Sequence, residues 1–272
     1  LFLSDGQYAV QDLVNRKVTS SYYTSKDGVA VVRVFVKSIG RGDGVVVMDP
    51  SLGSGVLLPS NSNLIRPGKV VGIETNEEPC DLARRILTKL YTNVEVVCGD
   101  AFRVAWGYRP DIIISNPPFV RWSLLDREYR RGLLGLMGRL GCAEFISRGD
   151  PGLHILSFFL MDCILRAGGY MIFVMSASTF CAGQGSGLKR HLRVRYYVLG
   201  MVENGLYPSF SVGGGFKELV LFLKKRDAVG ETGLNEGTVI YRWDEKLKSI
   251  GSVKRTPRIR RQGLAIPIQY IH

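Results

Sequence analysis

Asp111-Ile-Ile-Ile-Ser-Asn-Pro-Pro-Phe119 decides the reading of this chain. Its first five residues read as a buried strand over 111–115 that stops at a rigid turn. Two consecutive prolines lock φ and cannot donate backbone hydrogen bonds, so the turn's shape is set before any ligand arrives. Asn116 offers a side-chain carbonyl, Pro117 a backbone carbonyl, and Phe119 an aromatic face. Two acceptors beside a stacking surface suit a flat ring bearing an exocyclic amine, such as adenine. An Asn-Pro-Pro-aromatic string arises by chance in about one of several hundred chains of this length, so the flanking segments carry the decision.

Upstream, Val45-Val-Val-Met-Asp-Pro-Ser-Leu-Gly-Ser-Gly55 is a short apolar strand running into a glycine-bearing turn. Gly53 and Gly55 allow positive φ or a close approach of backbone to ligand. Asp49 can accept from a cationic ligand group. The pattern is neither the GxGxxG dinucleotide fingerprint nor a P-loop. Lys69-Val-Val-Gly-Ile-Glu74 is a second strand ending in an acid, placed to receive a ribose diol. A third, Val94-Glu-Val-Val-Cys-Gly-Asp-Ala-Phe102, ends where Asp100 can accept from an adenine amine packed against Phe102. One such acid is usually a solvated loop residue. Four successive strands with polar carboxyl ends (Asp49, Glu74, Asp100, Asn116) are harder to dismiss, because open α/β sheets bind ligands at that edge.

With these motifs in place, the chain resembles the S-adenosylmethionine-dependent DNA methyltransferases of the adenine-N6 class, over roughly residues 19–226. Asp49-Pro-Ser-Leu-Gly-Ser-Gly55 is similar to the family's Asp-Pro-Ala-Cys-Gly-Ser-Gly cofactor loop, departing from it at Ser51 and Leu52. Asn116-Pro-Pro-Phe119 matches the catalytic motif, and the Val120-Arg121-Trp122 that follows is typical of restriction-linked members. Ser21-Tyr-Tyr-Thr24, before an apolar helix-like stretch over 29–39, resembles the element that holds the methionine end of the cofactor. This motif order is that of γ-type enzymes. The resemblance implies S-adenosyl-L-methionine as cofactor, held by Tyr23, Thr24, Asp49, Pro50, Gly53, Gly55, Glu74, Asp100, Ala101, Phe102 and Asn116. It implies catalysis by Asn116, Pro117, Pro118 and Phe119, with Tyr207 joining Phe119 against the extruded base.

Further along, 154–166 has helical apolar spacing and ends at Gly168-Gly169, followed by apolar runs over 169–175, 196–202 and 218–224. Seven strands interleaved with helices give a doubly wound α/β sheet. The resemblance makes it a class I methyltransferase sheet whose last strand runs antiparallel. Residues 1–226 would then be the catalytic domain. The tail, 227–272, opens on a glycine-rich linker, offers a hairpin strand over 238–243, and turns basic at Lys254-Arg-Thr-Pro-Arg-Ile-Arg-Arg261. Such a tail is short for a target-recognition domain with its own core. Recognition then lies in residues outside the chain, in a recognition or restriction subunit, or in a substrate needing little reading.

No apolar run among the 272 residues reaches the roughly 20 needed to cross a bilayer. Five separated cysteines without a Cys-x-x-Cys read as reduced core thiols of a cytoplasmic protein. Histidines 154, 191 and 272 make no ligand pattern, so no metal is expected. A net charge of +12 favours a polyanionic partner. Arg121, Arg127, Arg130, Arg131, Arg139 and Arg148 follow the catalytic turn, and Lys189, Arg190, Arg193 and Arg195 follow the fifth strand. About half of these are expected to be solvated helix faces and the rest to neutralise phosphate.

Together these readings predict adenine-N6 methylation of DNA within a restriction-modification system. Protein-glutamine and ribosomal RNA base methyltransferases share the Asn-Pro-Pro-aromatic turn and stand as alternatives. So does a non-catalytic DNA-binding subunit that keeps the fold, although the intact Asn116 turn argues against it.

Overall fold

The computed structural model describes residues 24–40, 43–53, 55–146, 151–181, 183–204, 209–211, 215–227 and 240–243. Alternation within the apolar runs builds a two-sided sheet. In β4 (Ile112–Ser115), Ile113 faces one core while Ile112 and Ile114 face the other. The same alternation runs through β1 (Val46–Asp49), where Met48 and Val47 part company, and β5 (Tyr170–Ser176), where Phe173 opposes Ile172 and Val174. Strands with both faces apolar require helices on both sides.

Those helices are present. On one face lie α1 (Lys26–Ile39) and α2 (Glu77–Leu90), which bury Val31, Val32, Phe35, Ala83 and Leu87. The Ser25 side chain caps α1 by accepting from the Gly28 N–H. On the other face lie α3 (Arg127–Arg139), α4 (Leu153–Ile164) and α5 (Ser186–Arg195). Helix α4 is apolar almost all round and nearly every side chain in it is buried, as expected of a helix enclosed by sheet and neighbours.

The strand order is β3-β2-β1-β4-β5-β7-β6-β8, with β2 (Lys69–Glu74), β3 (Val94–Cys98), β6 (Tyr196–Asn204), β7 (Glu218–Lys225) and β8 (Ile240–Trp243). From β3 to β5 all pairs are parallel, and β7 runs antiparallel to both β5 and β6. The seven expected strands and the antiparallel β7 are therefore present. The eighth differs from expectation: β8 pairs in parallel with β6 and makes no hairpin with β7. β8 lies beyond β6 and runs in the sense opposite to β7, which places a segment of the tail at the edge of the main sheet. Between β3 and β4 the chain crosses back over β1, so the switch of direction falls between β1 and β4. Ligands of open α/β sheets bind outside the carboxyl ends at that point.

One cysteine expectation is overturned. Cys80 on α2 and Cys98 at the end of β3 form a disulfide, with Cα atoms 6.0 Å apart. Helix α2 packs onto β3 through the crossover, which brings together two cysteines 18 residues apart with no motif between them. Cys142, Cys163 and Cys181 remain thiols. The argument for a reducing compartment thus loses two of its five members.

Behind α4, Asp162 accepts from Tyr196 at 2.7 Å and pairs with His191 at 2.8 Å and Lys225 at 3.2 Å. Burial alone would raise the Asp162 pKa. The His191 hydrogen bond and the Lys225 charge together outweigh it and hold the carboxyl at about 2. This network joins α4, α5, β6 and β7.

Candidate active site

A cavity of about 230 Å³ opens at the carboxyl edge of β1 to β4. The β1 end contributes Pro50, Ser51 and Gly53, the β2 end Glu74 to Asn76, and the β3 end Gly99 to Phe102. The β4 end contributes Asn116, Pro117 and Pro118, while Leu153, Leu160 and Met161 of α4 line the cavity with Ile73 as apolar side chains, beside Ser157. Nine residues named from the sequence thus share one wall: Pro50, Gly53, Glu74, Asp100, Ala101, Phe102, Asn116, Pro117 and Pro118.

The glycine turn takes the conformation its sequence predicts, with φ of 54° at Gly53 and 77° at Gly55. Gly53 directs its N–H to the Glu74 carboxylate, which accepts at 2.8 Å through Oε2. Oε1 of the same group accepts from the Asn76 N–H at 2.9 Å. Glu74 therefore braces the glycine loop as well as facing the cavity. Asp100 caps the helical turn after β3 by accepting from Phe102 N at 3.0 Å.

Asp49, expected to accept from the ligand, is not among the residues that line the cavity. It is 1 % exposed, lies behind the cavity wall, and accepts from Ser51 N at 3.0 Å. Burial, reinforced by the nearby Glu74 charge and only partly offset by Ser51 and Ser115, pushes its pKa up to about 7. Gly55 is also absent from the wall. It faces Ala83 of α2, where an added Cβ would stand 3.1 Å from the alanine methyl.

Asn116 is the meeting point of three segments distant in sequence. Its Nδ2 donates to Thr24 Oγ1 and to Ser211 Oγ, each at 3.1 Å. Thr24 and Ser211 form an antiparallel bridge, and Ser25 N donates to Phe210 O at 2.7 Å. Ser211 in turn donates to Glu218 Oε2 at 3.0 Å, and the same oxygen accepts from Phe210 N at 2.7 Å. Burial raises the Glu218 pKa despite the hydroxyls of Ser209 and Ser211 beside it. Phe119 packs against His154, with ring centroids 5.3 Å apart, and against the edge of Phe216 at 4.9 Å.

Tyr129 stands among the arginines that follow the catalytic turn and carries no cofactor-site role in the sequence reading. From α3 it reaches the cavity and donates to Asp100 Oδ2 at 3.0 Å; no motif marks it, since only the packing of α3 brings it there. Tyr23, Tyr207, Arg148 and the basic stretch 254–261 lie outside the described residues. Of the expected phosphate contacts, Arg121, Arg127, Arg131 and Arg139 are exposed. Arg190 is exposed as well and donates to Glu144 O, while the half-buried Lys189 donates to Phe180 O, at 3.1 Å each. Among the described residues no cluster of His, Cys, Asp and Glu could hold a metal, and no helix is long and apolar enough to cross a membrane.

Residues 7–131 match the N-6 DNA methylase family model. A comparison with curated proteins finds no match. Among solved structures, a Listeria monocytogenes protein assigned to the class I S-adenosylmethionine-dependent methyltransferases superposes with a TM-score of 0.63 at 15% identity, covering 85% of this chain and 67% of its own. The type IIG restriction endonuclease BpuSI gives 0.65 at 16%, covering 85% of this chain and 28% of the endonuclease. The methyltransferase subunit of a type I restriction-modification system from Streptococcus thermophilus gives 0.61 at 16%, covering 88% and 53%. The chain thus spans about a quarter and about half of the two restriction proteins. The resemblance carried by the Asp49 loop and the Asn116 turn is matched by the N-6 DNA methylase family over residues 7–131, on a sheet with the class I S-adenosylmethionine-dependent methyltransferase fold.

Proposed function

We propose that this chain is the catalytic part of a DNA adenine-N6 methyltransferase that uses S-adenosyl-L-methionine, in a restriction-modification setting. One observation carries the reading: the ends of four parallel strands bring Gly53, Glu74, Asp100 and the Asn116-Pro-Pro turn to one cavity wall. The wall fits the cofactor. Glu74 and Asp100 offer carboxylate oxygens to a ribose and an exocyclic amine, the positive-φ Gly53 lets the backbone approach closely, and α4 adds the apolar Leu153, Leu160 and Met161. When bound, the sulfonium supplies an already activated methyl group.

The chain's own task is positioning. The target adenine leaves the stack at a cost of a few kcal/mol. The Asn116 side-chain carbonyl and the Pro117 carbonyl accept from its amine and aim the nitrogen lone pair. Phe119, with Tyr207, holds the ring. The surplus proton passes to water after transfer, so no histidine or carboxylate base is needed. Exposed arginines on α3 and before it engage phosphate. Residues 1–226 form the catalytic domain, and a recognition or restriction subunit, or further chain, reads the site.

The test is to incubate the protein with methyl-labelled cofactor and, separately, duplex DNA, ribosomal RNA and a peptide-release factor. Label in DNA is expected. Label in RNA or on a glutamine of the release factor would replace this reading with one of the alternatives, and cofactor binding without transfer would leave a non-catalytic subunit.

A further inference from the structure

The amide of an asparagine is nearly symmetric in shape, so hydrogen-bond polarity alone decides which end faces a ligand. At Asn116 that decision is traceable. A serine hydroxyl has a single proton to give. Ser211 gives its proton to Glu218 Oε2 at 3.0 Å, so toward Asn116, 3.1 Å away, it can only accept. The amide nitrogen must therefore point at Ser211 and Thr24, which directs the carbonyl to the opposite side. Glu218 cannot swing away from this duty, because the same Oε2 also accepts from Phe210 N at 2.7 Å. The whole relay is out of solvent: Glu218 is 0 % exposed, Ser211 5 % and Asn116 9 %.

We propose that Glu218 is a positioning residue: acting through the Ser211 hydroxyl, it sets the orientation of the Asn116 amide and keeps its carbonyl as the end presented to the substrate amine. This deepens the reading given above and rests on it. A carboxylate at the far end of the relay is a one-way device, since Oε2 accepts whether the group is ionised or neutral. Its Oε1 is buried and has no partner among the described residues. A proton, or the amide nitrogen of a glutamine, is accommodated there while Oε2 keeps both donors. Remove the acceptor, and the Ser211 proton is released to bond the Asn116 carbonyl, which then turns inward.

Three variants separate positioning from mere stability. Glu218→Gln keeps an acceptor at Oε2, Glu218→Met keeps the bulk without one, and Ser211→Ala cuts the relay while leaving Glu218 bonded to Phe210. With duplex DNA as substrate, Glu218→Met and Ser211→Ala should lose kcat by about 10²-fold with cofactor affinity unchanged, as misplacement of a reacting group does. Glu218→Gln should keep most of the activity. Ser211→Ala with wild-type kcat, or Gln and Met variants falling together in step with melting temperature, overturns the proposal. Orientation is also read without turnover, in protein labelled with ¹⁵N-asparagine. The Asn116 side-chain NH₂ should exchange slowly with water in wild type and Glu218→Gln, and faster in Glu218→Met and Ser211→Ala. Equal rates in all four overturn the inference even if the wild type fails to methylate DNA, a failure that sinks the proposed function instead.

Discussion

Tyr129 donates its hydroxyl to Asp100 Oδ2 at 3.0 Å, tying the helix that follows the Asn-Pro-Pro turn to the end of β3. Asp100 Oδ1 already accepts from Phe102 N. Both oxygens thus have internal partners, and each keeps a second lone pair for an amine arriving in the cavity. Ligand and tyrosine can share the acid.

That sharing separates two variants. Asp100→Ala should weaken S-adenosylmethionine binding by roughly 1.5–3 kcal/mol, the usual contribution of a hydrogen bond to a charged acceptor. Tyr129→Phe should lower unfolding stability by about 1 kcal/mol and leave cofactor affinity close to wild type. Calorimetry and urea denaturation measure the two quantities. Equal loss of affinity in both variants would mean that Asp100 serves the tyrosine and not the ligand.

Glu74 carries a double load, so its variants should grade. Glu74→Gln retains one acceptor oxygen, which can hold either the Gly53 or the Asn76 N–H but not both. Glu74→Ala releases both and also removes the ribose acceptor. Cofactor affinity should fall in the order wild type, Gln, Ala, with the Ala variant weaker by at least about 1.5–3 kcal/mol. An alanine variant that binds as tightly as wild type would remove Glu74 from the site.

The first four strands were legible because each is a short apolar run closed by glycine, proline or an acid, and the order of their polar ends already pointed to one edge. The Asn116 turn was legible for a related reason: two prolines fix geometry locally. What escaped was tertiary. Cys80 and Cys98 meet only because α2 lies along β3, and Tyr129 only because α3 folds back over the β3 end. Ser211 and Glu218 sit about a hundred residues beyond Asn116, in a loop and a strand start that look unremarkable in sequence. Asp49 was read as a ligand contact from its place at a strand end. Its burial shows that the same place can equally brace the loop from behind.

That burial has a pH consequence. The Asp49 pKa stands at about 7 in the folded chain against an ordinary 3.8. The folded state therefore holds a proton that the unfolded state releases between these values. Its contribution to stability is complete below about pH 4, falls as pH rises toward 7, and is flat above. Asp49→Asn, which mimics the protonated acid, should flatten this part of the profile. Urea midpoints between pH 4 and 8 in both proteins test it, and parallel profiles would show that Asp49 is ionised throughout.

Asn116→Ala should abolish transfer and leave cofactor affinity largely intact, because the side chain addresses the substrate amine. Phe119→Ala should weaken capture of an extruded base by about 1–3 kcal/mol, the usual worth of base–aromatic stacking. Phe119→Tyr should be tolerated, provided the added hydroxyl clears His154 and Phe216, whose rings pack against the Phe119 ring. Fluorescence titration with an abasic or 2-aminopurine duplex reads base capture apart from turnover. Near-normal turnover of Asn116→Ala would refute its role.

The modified base is the remaining choice, and the family pattern favours adenine. Both adenine and cytosine present a planar amine to two carbonyl acceptors, so the chemistry of Asn116 and Pro117 admits either. An asparagine heading the turn, where cytosine-N4 enzymes commonly have serine, resembles the adenine class, in agreement with the family match over residues 7–131. The product should therefore be N6-methyladenine, identified by nucleoside mass spectrometry of digested DNA. N4-methylcytosine would leave the fold and the positioning mechanism intact and change the substrate alone. Binding should report the same division of labour. The exposed Arg121, Arg127, Arg131 and Arg139 can meet phosphate, and phosphate contacts carry no sequence information. Affinity for duplex DNA should be weak and fall steeply with salt, the log–log slope approaching about −0.9 for each phosphate neutralised. Tight, salt-insensitive binding to one sequence would place recognition within these 272 residues.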